Sequence, residues 1–528
     1  MSHGPSPVIV IGAGIAGLAA TLRLAAAGSD VLLLERHGTV GGRIRALPTD
    51  AGPAEAGPTV LTMLPVLEAL FEAAGARLAD HVDLLPQPVL ARHFWPDGSR
   101  LDLHSDRDAS AAAIADFAGA DEADRFRAFA ARAERMFEAF EGPVMGNARP
   151  RLAPLATQVA RHPRLALDMM PGLSLSRSLE RTFRDPRLRQ LFGRYATYVG
   201  GTPDGAPALL SLIWHAEERG VHAVRGGISA LARAVAALAV ERGAHIRTGV
   251  HVERVEVDGD KTTGVRLADG ERVAAEAVLF AGDPRALATG LLGDGARAAG
   301  GPTSRIPRSL SASVWSFAAR VDGPLADALL HHNVLFADDP GRDWREIAAG
   351  RHPTDPTLYI CAQDRADGAR PKGQERFEII ANAPPLPERG APIEMEFETC
   401  WTATFETLAG RGLRFDPAPG REACTGPGQF EAMFPATLGS LYGQSPNGLT
   451  AALARPTART PVPGLYLAGG GAHPGAGVPM AALSARHAVE AIMEDRASTS
   501  RSRRGAMAGG ISTASPTMAS APSRSSPS

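Results

Sequence analysis

The sequence predicts an α/β fold that begins with a Rossmann-like unit. Residues 8–11 and 31–34 are short apolar runs typical of buried parallel strands, and residues 15–27 between them have helical spacing. Two further apolar runs, at residues 278–281 and 465–468, predict buried strands much later in the chain. Strands that alternate with helices in this way predict a parallel sheet covered by helices.

A glycine pattern joins the first strand to the first helix. It reads Gly12-x-Gly14-x-x-Gly17, and Glu35 follows the second strand. Gly12 permits a tight turn, Gly14 lets a pyrophosphate approach the backbone, and Gly17 lets helix and strand pack closely. The helix N-terminus attracts phosphate, and Glu35 can accept hydrogen bonds from ribose hydroxyls. The pattern predicts dinucleotide binding, with a glycine-rich packing turn as the alternative.

The motif Gly41-Gly42-Arg43 narrows the choice of dinucleotide. Two adjacent glycines leave their amides open, and the Arg43 guanidinium can contact phosphate. At this point the chain resembles the flavoprotein superfamily of amine oxidases, carotenoid desaturases and GDP dissociation inhibitors. The resemblance implies FAD as the cofactor. A surface turn with a solvated arginine is the alternative.

Two further segments resemble the bacterial carotenoid desaturases of the phytoene desaturase family. Residues 55–62 read Glu-Ala-Gly-Pro-Thr-Val-Leu-Thr, and residues 473–477 read His-Pro-Gly-Ala-Gly. Within that family the chain is most similar to the 1-hydroxycarotenoid 3,4-desaturases, although Glu55 stands where relatives usually have Asp. The resemblance implies further cofactor contacts from Gly57, Pro58, Thr59, Gly469, Gly470, Gly477, Val478 and Met480.

The same resemblance implies a Rossmann-like FAD-binding domain with an inserted substrate-binding domain. The FAD-binding domain is discontinuous and comprises residues 1–65, 220–300 and 455–496. A helical region that faces substrate or membrane is expected at 66–219, since residues 65–140 are mostly helical by period, and the substrate-binding domain at 301–454. Alternating apolar residues over 250–273 predict a β-meander. Small and polar residues dominate 497–528, which predicts a disordered tail.

Composition excludes several other functions. A net charge of -2 over 528 residues gives no electrostatic reason to expect nucleic acid as a partner. Cys361, Cys400 and Cys424 lie far apart, in no zinc or redox spacing. His331 and His332 have no carboxylate or cysteine nearby in sequence, so we expect them at the surface and predict no metal site.

The chemistry implied by the resemblance needs few polar groups. A carbon allylic to a polyene can lose a hydride to flavin, and the neighbouring carbon then loses a proton to a weak base. Glu217 and His473 are the candidate catalytic residues, with Glu218 beside the first. For the two glutamates a solvated helical face is the alternative, and for His473 it is a structural role in a tight loop.

The implied substrate, an acyclic carotenoid, resides in membranes, so we expect a cytoplasmic protein that docks peripherally on a membrane surface. Residues 143–175 are basic and apolar, which fits either an interfacial segment or a lid over a substrate tunnel. No nicotinamide site is evident, so the expected electron acceptor is oxygen or a quinone. Alternatives within the resemblance are a multi-step phytoene-type desaturase, a carotenoid cis–trans isomerase and a non-enzymatic isoprenoid-binding protein.

Overall fold

The computed structural model describes residues 6–388, 397–448, 451 and 454–508. Strands there occupy twenty segments, in chain order: β1 Val8–Ile11, β2 Val31–Leu34, β3 Ala46–Leu47, β4 Ala54–Glu55, β5 Leu84–Gln87, β6 Val89–Phe94, β7 Arg100–His104, β8 Val221–Val224, β9 His245–Arg247, β10 Val252–Asp258, β11 Lys261–Leu267, β12 Arg272–Ala274, β13 Ala277–Phe280, β14 Ser311–Asp322, β15 His332–Leu335, β16 Leu358–Ala362, β17 Glu375–Ala383, β18 Arg414–Asp416, β19 Cys424–Thr425 and β20 Leu465–Leu467.

The α-helices of the described residues are concentrated before β8 and at the C-terminal end. They are α1 Ile15–Ala26, α2 Leu64–Glu72, α3 Arg107–Ala118, α4 Ala120–Phe140, α5 Leu152–Arg161, α6 Pro163–Asp168, α7 Leu175–Thr182, α8 Pro186–Gly193, α9 Leu212–Glu218, α10 Ser229–Glu241, α11 Pro284–Ala288, α12 Pro340–Ala348, α13 Phe397–Trp401, α14 Thr407–Gly410, α15 Pro427–Met433 and α16 Val478–Ala508. A π-helical turn, Glu141–Met145, extends α4.

A five-stranded parallel sheet forms the first layer, which confirms the predicted α/β fold. Its order is β20-β13-β1-β2-β9, and all neighbouring strands are parallel. The strands are apolar on both faces because α1, α10 and α16 pack on one face, with Val8 and Val10, and β10 and β11 pack on the other, with Ile9 and Ile11. Parallel strands place their carboxyl ends at one edge, so the segments after β1, β2, β13 and β20 meet there.

A larger, mostly antiparallel sheet forms the second layer. Its order is β18-β14-β17-β16-β15-β6-β7, with β19 paired to β14. Strands β6 and β7 fall inside 65–140, which the sequence predicted to be mostly helical, so that prediction was wrong over 84–104. The turn Pro96-Asp97-Gly98 closes this hairpin, and β6 pairs with the distant β15. Pairing across so long a sequence separation leaves no local periodicity to detect.

The antiparallel meander agrees with the sequence prediction, and the C-terminal helix is longer than the sequence predicted. Strands β10, β11 and β12 form the predicted antiparallel meander. Helix α16 continues through 497–508, where the composition predicted a disordered tail, while 509–528 lie outside the described residues. Arg and Ala recur in 497–508, and both extend a nucleated helix at little cost. Among the described helices, none combines the length and apolar character needed to cross a membrane.

Candidate functional site

One cavity of about 1340 Å³ connects the two layers. At one end it is lined by the glycine turn after β1 and by the loop before α16, at the carboxyl edge of the parallel sheet. At the other end it is lined by α5 and α6, and its sides are formed by α9, β14, β16 and β17. A ligand in this cavity therefore contacts backbone at one end and apolar side chains at the other.

The glycine turn after β1 is shaped for a ligand at one position and for packing at two others. A Cβ on Gly17 would lie 1.9 Å from the Gly12 carbonyl oxygen, so only glycine fits at that contact. A Cβ on Gly42 would lie 3.0 Å from the Gly14 Cα, which brings the second glycine motif against the first. A Cβ on Gly14 would meet no protein atom within 4 Å. The space at Gly14 is therefore open to a ligand.

Glu35 lies at the end of β2 beside this turn. Its Oε2 accepts a hydrogen bond from the Ala13 amide at 2.6 Å, and its Oε1 accepts one from the His37 amide at 2.8 Å. Each carboxylate oxygen has a second lone-pair direction that these amides leave free. The two amides orient the Glu35 carboxylate and leave it able to accept hydrogen bonds from ribose hydroxyls.

Arg43 and its neighbours line the cavity next to Gly14. The Arg43 Nη2 donates to the Ser440 carbonyl oxygen at 3.2 Å, and the guanidinium lies 5.2 Å from the Phe434 ring centroid. Its Nε is buried and has no hydrogen-bond partner among the described residues, so the guanidinium can donate a hydrogen bond to an anionic ligand. A Cβ on Gly57 would lie 2.0 Å from the Arg43 carbonyl oxygen, which explains the glycine there.

The loop between β20 and α16 forms the opposite wall of this end. Gly469, Gly470, Gly477, Val478 and Met480 all line the cavity, as do Gly41, Pro58 and Thr59. Helix α16 begins at Val478, so its free amides and positive dipole end lie at the cavity wall. A dipole end at this place stabilises negative charge that develops on a bound ring.

His473 has a structural role in the same loop. Its Nε2 lies 3.0 Å from the carbonyl oxygens of Val144 and Asn147, at the π-helical turn that follows α4. His487 of α16 lies 3.0 Å from the Met145 carbonyl oxygen in the same way. Burial lowers the pKa of His473 to about 4, so the ring is neutral at pH 7. His473 does not line the cavity and fastens the loop instead.

Glu55 is likewise structural. Its carboxylate accepts a hydrogen bond from the Ser229 hydroxyl at 2.5 Å and lies at the start of α10. Its own amide donates to the Gln363 side-chain oxygen at 2.9 Å, which joins the two layers. A Cβ on Gly227 would lie 1.9 Å from the Glu55 Oε1, so the glycine makes room for this longer acid.

Glu217 belongs to a polar cluster in the otherwise apolar part of the cavity. The cluster consists of Glu217, Arg194, Tyr195 and Tyr198, and Glu217 is 3% exposed. Arg194 Nη1 donates to the Tyr198 hydroxyl at 3.2 Å, and the Arg194 charge acts on the Glu217 carboxyl. Glu217 lines the cavity, and its Oε2 is buried without a hydrogen-bond partner among the described residues. Burial raises the pKa of Glu217, while the Arg194 charge opposes that rise.

The alternative of a solvated helical face for Glu217 and Glu218 is wrong, since both are buried. They differ in environment because successive residues of α9 point in different directions. Glu218 turns away from the cavity and pairs with Arg107, whose Nη2 is 2.7 Å from its Oε2, and with His215 at 3.2 Å. Of these two glutamates, only Glu217 lines the cavity.

The helical lining at the far end comes from the basic, apolar segment. Leu155, Val159 and Leu167 of α5 and α6 line the cavity, and Leu167 is also 75% exposed. The four arginines of this segment are exposed; they are Arg149, Arg151, Arg161 and Arg164. The segment therefore covers the cavity and faces solvent at once.

Two histidines and one arginine differ from what the sequence indicated. His331 and His332 are 8% and 2% exposed, so the prediction that they lie at the surface was wrong; strand pairing brings them to Cys361. The sequence also missed Arg455, which donates to the Gly470 carbonyl oxygen at 2.6 Å and to that of Tyr442 at 3.0 Å. A lone arginine in a weakly patterned stretch carries no signal for such a contact.

The residues present fit FAD. Gly14 leaves open space against the backbone, Glu35 has free acceptor positions, and the buried Arg43 Nε has no partner. The cavity then continues past the start of α16, where a redox-active ring would have room beside the dipole end. These features define a flavin-dependent oxidoreductase.

Comparison with known proteins gives the same class. Residues 15–375 match the family model for flavin containing amine oxidoreductase. The chain is 55% identical over 496 residues to a hydroxyneurosporene desaturase of Cereibacter sphaeroides, covering 94% of this chain and 99% of that one. It is 47% identical to a hydroxyneurosporene desaturase of Rhodobacter capsulatus, covering 94% and 99%. An oxidoreductase of Methanosarcina mazei matches the fold with a TM-score of 0.59 at 18% identity, covering 92% and 100%.

The protein is an FAD-dependent oxidoreductase. It belongs to the flavin containing amine oxidoreductase family and, within that family, to the carotenoid desaturases.

Proposed function

We propose that this protein desaturates the 3,4 bond of 1-hydroxylated acyclic carotenoids. Three relatives that share 55%, 47% and 44% identity over nearly the whole chain are named hydroxyneurosporene desaturases. The observation that carries the proposal is the buried polar cluster around Glu217, of which Arg194, Tyr198 and Glu217 itself line a mostly apolar cavity. A hydrocarbon substrate needs no such cluster, whereas a hydroxylated chain end does.

FAD is held by the glycine turns, Glu35 and Arg43 in this proposal. Gly12, Gly14 and Gly17 shape the phosphate turn, and Gly57, Pro58 and Thr59 complete the wall. When bound, FAD supplies the two-electron acceptor that takes a hydride from the allylic C4. Helix α16 begins at the cavity wall, so its positive dipole end would favour the negative charge that this transfer creates.

We assign the removal of the C3 proton to Glu217. Loss of a hydride from C4 leaves a delocalised cation, and loss of a proton from C3 completes the double bond. The Glu217 Oε2 has an unused lone pair on the cavity wall, and its pKa is raised by burial, which increases its basicity. Arg194 keeps the carboxylate charged before the proton arrives. One carboxyl thus accepts one proton in each turnover.

The same cluster accounts for the hydroxyl. A tertiary hydroxyl that enters an apolar cavity loses its water and costs roughly 1–3 kcal/mol unless it finds a partner. The hydroxyl on C1 is close to C3 along the chain, so the group that binds it and the group that takes the proton must be neighbours. Arg194 can donate to that hydroxyl, and Glu217 can accept from it.

Competition between neurosporene and 1-hydroxyneurosporene in detergent tests the proposal. We expect kcat/KM to favour the hydroxylated substrate by at least about tenfold, because the unfilled cluster penalises the hydrocarbon. The reverse order would indicate a phytoene-type desaturase. Turnover of geometric isomers without reduction of flavin under anaerobic conditions would indicate an isomerase.

The division into domains follows from this assignment. Strands β1, β2, β9, β13 and β20 all fall within residues 1–65, 220–300 and 455–496, which we assign to the FAD-binding domain. The substrate-binding part then consists of 66–219 and 301–454, and its sheet combines strands from both of these segments.

We also propose that the mouth of the cavity docks on a membrane. Leu167 is exposed at the cavity lining, and exposed arginines flank it in the same segment. An apolar side chain within a basic surface is suited to the interface of an anionic bilayer. The substrate could then pass from lipid to cavity without crossing water, and oxygen or a quinone in the membrane would reoxidise the cofactor.

A further inference from the structure

The antiparallel sheet carries a buried row of titratable side chains on the face that also lines the cavity. The register places His332 of β15 opposite Cys361 of β16, and Cys361 opposite Glu378 of β17. These three side chains are 2%, 1% and 0% exposed. Burying such groups is costly unless each has a partner, so the row calls for a physical explanation.

Three side chains that can bind a metal ion lie close together at this row. The available atoms of His331, His332 and Cys361 are all within 4.8 Å of one another, and His331 Nε2 is 3.8 Å from Cys361 Sγ. In a tetrahedral site, bonds of about 2.0–2.3 Å place neighbouring ligand atoms roughly 3.3–3.8 Å apart. Small side-chain rotations would therefore bring all three atoms to one ion.

The Nδ1 atom of each ring already has a hydrogen-bond partner. His331 Nδ1 lies 3.0 Å from the Ala362 carbonyl oxygen, which can only accept, so in the neutral ring Nδ1 carries the proton and Nε2 presents its lone pair. His332 Nδ1 lies 2.7 Å from the Tyr359 hydroxyl. His332 Nε2 has no hydrogen-bond partner among the described residues. His332 can therefore offer Nε2 to an ion while its Nδ1 stays on Tyr359, and one nitrogen held by a partner is the usual state of a metal-binding histidine.

Glu378 provides a second, independent observation. Both of its carboxyl oxygens are buried and lack a hydrogen-bond partner among the described residues, although Cys361 lies directly opposite on the next strand. Side chains opposite each other in a sheet have Cβ atoms about 4.5–5.5 Å apart. The Arg45 charge acts on this carboxyl without a hydrogen bond to it, and a cation at Cys361 would add a second positive charge beside it.

We propose that His331, His332 and Cys361 form a binding site for one zinc(II) ion. Imidazole nitrogen and thiolate sulfur are ligands that zinc prefers over magnesium or calcium. Cys361 and His331 also line a separate cavity of about 160 Å³, which provides an entry path and room for a water as the fourth ligand. The ion would fasten β15 to β16.

This ion would also act on the main cavity through Tyr359. The Tyr359 hydroxyl lies 2.6 Å from the Thr59 hydroxyl, and both residues line the large cavity. When His332 Nε2 binds the ion, its Nδ1 carries the proton and donates to Tyr359. Tyr359 then donates to Thr59. Metal binding thus fixes the direction of this short hydrogen-bond chain.

Elemental analysis of the flavin-loaded full chain tests the site directly. After equilibration with zinc and removal of the excess by gel filtration, we expect one zinc per chain. Cys361→Ser and His332→Gln should each reduce that value at least tenfold. His93→Gln and Cys424→Ser are matched controls, since both residues are buried outside the cluster, and they should retain one zinc. Less than a tenth of a zinc in the wild type, or full zinc in the two cluster variants, would overturn the proposal.

Cobalt(II) provides a measurement that does not depend on the folding of any variant. In the wild type, cobalt bound by two imidazoles and a thiolate should give the intense visible bands of a four-coordinate site, at longer wavelengths than flavin absorbs. Added zinc should abolish them. A weak spectrum of six-coordinate cobalt would show surface binding only and would contradict the site. None of these measurements involves a carotenoid, so they are independent of the proposed substrate.

Discussion

The two ends of the large cavity are built in different ways. The FAD end is made of backbone, where the turns at Gly14, Gly42 and Gly469 meet at the carboxyl edge of the parallel sheet. The rest of the cavity is formed by side chains of α5, α6, α9 and the antiparallel sheet, most of which are apolar, and it includes the polar residues Arg194, Tyr198 and Glu217. Backbone walls restrict the residue type at each position, whereas apolar walls accept many residues of similar size.

This difference implies different responses to substitution. At the FAD end, one added side chain should remove the cofactor. In the rest of the cavity, only the polar positions should affect chemistry strongly, and the apolar or exposed positions should change the handling of substrate by small factors.

Gly14→Val should have the largest effect. The new side chain meets no protein atom within 4 Å of its Cβ, so the chain should still fold, but it would occupy the space of the pyrophosphate. We expect flavin content, measured by absorbance after gel filtration, to fall below about a tenth of the wild-type value. Gly38→Val is the matched control, because Gly38 is exposed and equally unobstructed. Full flavin in Gly14→Val would mean that FAD does not pass over this turn.

Glu217→Gln tests the polar cluster around Glu217. Glutamine keeps the shape and cannot take a proton, so we expect kcat to fall by about 100-fold or more with flavin content unchanged. Its neighbour provides the control: Glu218→Gln alters an acid that is paired with Arg107 and His215 outside the cavity, and kcat should stay within a few-fold. Equal losses in both variants would point to a role of α9 in folding only.

The pH dependence of kcat sharpens the assignment of Glu217. Burial raises the pKa of this carboxyl, and the base must be deprotonated to act. Activity should therefore be full above the raised pKa and fall about tenfold per pH unit below it, at a pH above the ordinary carboxyl range. Removing the opposing charge with Arg194→Met should move this acid limb to higher pH. A limb that stays in place would show that another group titrates.

Leu167→Asp should have the smallest effect, and only on membrane binding. This exposed residue lies at the basic cavity mouth, and a carboxylate there opposes insertion into an anionic bilayer. We expect flotation with anionic vesicles to fall by a few-fold, while turnover of detergent-dispersed substrate changes little. Leu291→Asp is the control, because Leu291 is 53% exposed in a segment that does not line the cavity. An equal decrease for both would indicate that docking does not involve the mouth.

Much of the FAD end could be predicted from the sequence. Gly17 and Gly57 sit where a Cβ would overlap a carbonyl oxygen, and contacts of this kind leave glycine as the only choice. Such positions form short motifs with fixed spacing, which is why the strand, turn and helix order was readable before the structure. The same local logic failed for the hairpin of β6 and β7, in which β6 also pairs with β15 far along the chain.

The sequence alone determined the parallel α/β fold, the FAD turn and the family resemblance, because each depends on residues close together in the chain. Tertiary structure decided which acid faces the cavity, since Glu217 and Glu218 are equivalent by pattern and differ only in the direction in which α9 presents them. It also decided that His332 and Cys361 are neighbours, through a pairing of β15 with β16 that no spacing predicts. Strand pairing and helix orientation are long-range choices, and they assemble polar groups that the sequence leaves apart.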